Sequence, residues 1–115
     1  MKDYKFEFEV EGIKYSLVFN FNVMGAIQEE YGTIEKWGSL TDGTKGEVNA
    51  KALIFGLTEM INEGIDIENE NTSEPRKPLS TKQVGRLVTK FGLENTATTL
   101  NNAIVESTKS EEKNV

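Results

Sequence analysis

The chain has no cysteine and no histidine, and its 115 residues include one tryptophan and two prolines. Without thiols there are no disulfides and no thiolate metal sites. Without imidazole the usual base of neutral-pH catalysis is missing, and with it the Ser-His and Cys-His nucleophiles. Arginine is nearly as scarce, with Arg76 and Arg86 alone, and the net charge is −6. Nucleic-acid binding needs clustered cations that displace counterions, so the charge argues against that class. No apolar run approaches the roughly 20 residues of a membrane span, and the N-terminus lacks a signal-peptide core. A cytoplasmic protein without metal or cofactor is expected. Composition favours a binding or assembly role over an enzyme.

What is present is ordinary soluble material, 37% hydrophobic and 28% charged, enough for one modest core. Tyr4, Phe6, Phe8 and Val10 alternate with Lys5, Glu7 and Glu9, the period of a half-buried strand. After Glu11-Gly12 the alternation resumes with Ile13, Tyr15, Leu17 and Phe19. A two-residue turn pairs Val10 with Ile13, Phe8 with Tyr15, Phe6 with Leu17 and Tyr4 with Phe19. That register puts the large apolar residues on one face. Glu11 is a poor first residue for such a turn, whereas Gly12 suits it. A two-stranded sheet is marginal alone, so the helices that follow must cover it.

Asn20 or Asn22 can cap a helix carrying Val23, Met24, Ile27 and Tyr31, with Gly32 as its stop. A short helical turn with Ile34, Trp37 and Leu40 comes next, then a loop at 41–46. The strongest helix spans Glu47 to Glu63, with Ala50, Leu53, Ile54, Leu57, Met60 and Ile61 in a stripe and Gly64 ending it. Gly56 inside it points to close packing against another element. Ile65 to Pro78 reads as a mobile polar linker. Ser80 and Gln83 then form a capping box, with Leu79 stapling onto Val84, for a helix burying Val84, Leu87, Val88 and Phe91 and stopping at Gly92. A last helix from Leu93 to Ser107 turns Leu93, Ala97, Leu100 and Ile104 inward. The expected fold is α+β, an N-terminal antiparallel β-hairpin packed on four to five α-helices. Residues 1–108 make a single domain, and 109–115 a charged tail.

Two motifs fail on inspection. Asp66, Glu68 and Glu70 alternate as in a calcium loop, but Asn71 stands where glycine is needed and Lys77 where the bidentate glutamate belongs. Gly43-Thr44-Lys45 reverses the Lys-Ser/Thr order of a phosphate-binding loop, and no strand leads directly into it. The Glu29-Glu30 and Glu111-Glu112 pairs are adjacent and do not face one another on a helix. No catalytic constellation is present.

From Leu17 to Gly32 the sequence LVFNFNVMGAIQEEYG resembles the tail assembly chaperones of long, flexible-tailed bacteriophages and prophages of Gram-positive hosts. The order of features is similar too: a hairpin ending in Phe-Asn-Phe-Asn, an acidic helix closing in Tyr-Gly, a Trp-Gly turn, a long apolar helix and a polar linker. Leu79-Ser80-Thr81-Lys82-Gln83-Val84-Gly85 resembles the start of the family's next helix, and the likeness covers most of residues 4–105. The resemblance implies a non-catalytic helper of virion morphogenesis. Such a protein binds the tape-measure protein, keeps its helices from aggregating and helps recruit tail-tube subunits. It also implies a frameshift-extended second product, and Glu112-Lys113-Asn114 is compatible with an A-rich slippery site.

A chaperone of amphipathic helices is expected to offer an apolar groove with an acidic rim. Phe21, Met24, Trp37, Leu53, Leu57 and Met60 are the candidate binding residues, with Trp37 an interface anchor or a core residue. The hairpin edges could pair between copies to give a homo-oligomer. The competing reading is a small acidic regulator or inhibitor that binds a host enzyme.

Overall fold

The computed structural model describes residues 4–112, and their side chains over 7–108. The chain forms an α+β fold, a two-stranded antiparallel hairpin followed by five helices. Strands β1 (Tyr4–Val10) and β2 (Ile13–Phe19) pair Val10 with Ile13, Phe8 with Tyr15, Phe6 with Leu17 and Tyr4 with Phe19. Glu11 and Gly12 both have positive φ, 52° and 82°, as the tight hairpin turn demands. Glu11 takes this conformation with its carboxylate 2.6 Å from the Lys90 ammonium.

The expected apolar face is buried at Phe8, Val10, Tyr15, Leu17 and Phe19, while Ile13 beside the turn is exposed. Val18, on the opposite face with Ser16, is also buried, so that face is not uniformly solvated.

Helix α1 (Phe21–Tyr31) starts at Asn20, whose side chain accepts from the Val23 N–H, and stops at Gly32, φ 91°. Helix α2 (Ile34–Thr41) is capped by Thr33. Helix α3 (Ala50–Asn69) is capped by Asn49 and is 20 residues long, about 30 Å at 1.5 Å per residue. It was expected to end at Gly64, but it continues to Asn69. Gly64 is an interior residue here, and its missing side chain is contact space. A Cβ there would come within 2.4 Å of the Ser16 carbonyl oxygen of β2. α3 therefore rides on the β2 backbone, and this side of the hairpin is not an open margin at Ser16.

The shortened linker is also tied down. Asn62 and Asn69 are seven residues apart and share one face of α3. Each side-chain amide pairs with one residue of the linker backbone, donating to its carbonyl and accepting from its N–H. Asn69 does so with Arg76, at 2.9 Å in both directions, and Asn62 with Leu79, at 3.0 and 2.8 Å. The Arg76 guanidinium sits 5.8 Å above the Tyr15 ring and 3.6 Å from Glu68. A segment expected to be loose thus has its main chain fastened at two points.

Helix α4 (Thr81–Phe91) opens with the capping box of Ser80 and Gln83 and buries Val84 and Val88. The Phe91 ring meets the Phe8 ring at 4.7 Å. After Gly92 alone comes α5 (Leu93–Glu112), which buries Thr96, Ala97, Leu100, Ala103 and Ser107. Leu93 and Ile104 are only half-buried. The Ser107 hydroxyl donates to the Phe19 carbonyl at 3.1 Å, joining α5 to the end of β2. The tail expected from residue 109 is helical as far as Glu112, and 113–115 lie outside the described residues.

Candidate functional site

The six candidate binding residues do not form one surface. Trp37, Leu53, Leu57 and Met60 are at most 1% exposed, so they build the core and no partner can reach them. The apolar stripe of α3 packs on β2, α1, α4 and α2 through buried Leu53, Leu57, Met60 and Ile61, while Ile54 is half-buried and Ala50 exposed. The Trp37 indole N–H donates to the Ala52 carbonyl at 2.8 Å, satisfying its one polar group inside the protein. Met24 is half-buried against the same core. Of the six, Phe21 stands out in solvent, 63% exposed at the start of α1.

A groove opens elsewhere, between the C-terminal end of α1, the first half of α3 and the outer face of α4. Its volume is about 640 Å³. The floor is apolar, made by half-buried Tyr31, Ile54 and Phe55, with the Tyr31 and Phe55 rings edge-on at 5.6 Å and 73°. Burial, and then the charge of neighbouring Glu30, push the Tyr31 hydroxyl above the usual tyrosine range, so it stays a neutral donor. Gly85 completes the α4 wall.

The rim carries Lys51, Lys82 and Arg86 against Glu30 alone. The expected acidic rim is therefore corrected: this edge is basic on a molecule of net charge −6. Among the described residues the three cations have no carboxylate within 4.0 Å, unlike Lys14, Arg76 and Lys90, which are paired with Glu7, Glu68 and Glu11.

Sequence reasoning missed this site because three separate segments build it. The one local signal is Lys82, Gly85, Arg86 and Thr89, spaced i, i+3, i+4, i+7 down the outer face of α4. Phe21 is not part of it. It lies ten residues before Tyr31, about 15 Å along α1.

A second hollow, about 190 Å³, collects Glu59, Glu63 and Asp66 of α3 beside Asn22 and Pro78. The Asn20 and Asn22 side chains donate to Glu63 Oε2 at 2.7 and 3.0 Å, fastening the start of α1 to α3. Burial, then the Glu63 charge, raises the Glu59 carboxyl above the usual glutamate range. No group of three or more such ligands among the described residues could hold a metal ion. Asp66 and Glu68, which alternate as in a calcium loop, lie within the last turns of α3 and not in a loop.

The loop expected from residue 41 begins after Thr41, which is buried as the last residue of α2. In the 42–49 connector the Asp42 carboxylate accepts from the Thr44 hydroxyl at 2.7 Å and its N–H at 2.9 Å. These bonds hold the Asp42 pKa below the usual range and make a local turn, not a phosphate cradle. No described helix is long and apolar enough to cross a membrane. Compared with family models, with curated proteins and with solved structures, the chain matches none.

Proposed function

We propose that this protein is a non-catalytic helper of phage tail assembly, which binds the tape-measure protein in the host cytoplasm and helps recruit tail-tube subunits. Two things support the reading. One is the resemblance of most of residues 4–105 to tail assembly chaperones. The other, which carries it, is the open apolar groove between α1, α3 and α4, with the dimensions of a site for another chain's side chains. Groove binding leaves the core intact, since Trp37, Leu53, Leu57 and Met60 are not needed outside.

Co-expression tests the proposal. A tape-measure polypeptide made alone is expected to be insoluble. Made with this protein it should gain soluble yield several-fold and co-purify. No gain, with capture and inhibition of one host enzyme instead, would replace this reading with that of an acidic inhibitor.

A further inference from the structure

We propose that the groove accepts an amphipathic helix that is itself acidic, with its aliphatic stripe on Ile54, Phe55 and Tyr31 and its Asp or Glu residues against Lys51, Lys82 and Arg86. The inference deepens the chaperone reading and rests on it for the class of partner.

The shape favours a helix. The α4 wall runs from Thr81 to Thr89, eight residue steps or about 12 Å along the axis, and α3 contributes Lys51, Ile54 and Phe55 at i, i+3, i+4. A trough two turns long, walled by helices, matches a ligand whose anchors recur at i, i+3/i+4 and i+7.

Charge selects the kind of helix. A protein of net charge −6 repels an acidic partner at long range, so a local reversal of sign is what would let one dock. The three rim cations have no carboxylate of this chain within 4.0 Å among the described residues, and the partner would supply those groups. A basic helix would meet like charge on three of the four rim positions.

Gly85 keeps the α4 wall of the groove open. Glycine inside a helix costs stability relative to alanine. Gly56 and Gly64 are required by packing, because a Cβ would meet Trp37 at 2.2 Å and Ser16 at 2.4 Å. At Gly85 the nearest atom, Ile54 Cδ1, is an ordinary 3.5 Å away. As at Gly25 and Gly38, the chain's own packing does not demand this glycine; unlike them, Gly85 lines the groove, and its missing side chain widens it.

The test uses two labelled peptides of about 18 residues, roughly 27 Å of helix. They share a leucine stripe, flanked by Glu in one and Lys in the other. Binding to the full chain is followed by fluorescence anisotropy and by amide shifts at Tyr31, Ile54 and Gly85. The Glu peptide should bind at least about tenfold tighter than the Lys peptide. Lys82→Glu/Arg86→Glu, on exposed side chains, should reverse that order. Gly85→Leu should abolish binding of the Glu peptide without lowering the melting temperature.

Equal binding of the two peptides, binding of neither, or a Glu peptide indifferent to Gly85→Leu and to the charge reversal would overturn the proposal. Dodecanoate shifting these amides while neither peptide does would assign the groove to an anionic amphiphile instead. The two readings fail separately. Solubility rescue retained by Gly85→Leu removes the groove and keeps the chaperone. Peptide binding as expected with no rescue removes the chaperone and keeps the groove.

Discussion

The edge of the Trp37 ring occupies the space that a side chain at Gly56 would fill: a Cβ there would lie 2.2 Å from Trp37 Cζ2. The same indole donates its N–H to Ala52, whose carbonyl an α-helix pairs with the Gly56 N–H. Helix α2 is thus seated on one turn of α3, and neither residue can change alone. Gly56→Ala should cost about 1–3 kcal/mol through overpacking, although alanine is the better helix former. Trp37→Phe should lose the indole hydrogen bond and leave a void at the same turn. Urea denaturation measures both.

Gly64 and Gly85 should respond in opposite directions to the same substitution. At Gly64 an added methyl meets Ser16 backbone, which cannot rotate aside, so Gly64→Ala should destabilise. Gly85→Ala has room and removes unfolded-state freedom, so it should stabilise by about 0.4–1 kcal/mol. Thermal melts of the pair give the sign directly.

The Asn62 and Asn69 amides should protect particular linker amides from exchange. Hydrogen exchange should show slowed Arg76 and Leu79 N–H groups within an otherwise exposed stretch. Asn62→Ala strands the Leu79 N–H and carbonyl and should cost about 1–3 kcal/mol. Asn69→Ala, at a more exposed pair, should cost less and abolish protection at Arg76 alone.

Glu59 gives a pH dependence whose sign follows from its raised pKa. The folded state holds that proton more tightly than the unfolded chain does. The penalty of the charged form is therefore fully present above the raised pKa, and it is relieved as pH falls toward the ordinary glutamate value. Glu59→Gln should melt higher than the natural sequence at pH 7, and the difference should shrink on acidification through that range. Melting curves at stepped pH check it.

Local chemistry made much of this fold legible. The strand alternation gave the register residue by residue, and Ser80 with Gln83 marked the start of α4, because each depends on neighbours a few positions away. Gly64 misled because a glycine that stops a helix and one that admits another backbone look alike in one dimension. Trp37 could be read as core or anchor until α3 was seen beneath it. The groove was hidden for the same reason: Tyr31, Ile54 and Gly85 come from three helices, and only packing brings them together.

The two asparagines read peptide groups and ignore what those groups carry. Replacement of Arg76 or Leu79 by any residue with a main-chain N–H preserves the clamp itself, and proline alone removes its donor. Between the clamps, and on the exposed stretch before them, the letters of the loop can drift while its course stays put. A lineage could restyle this stretch of surface for a new contact without reworking the helix that holds it.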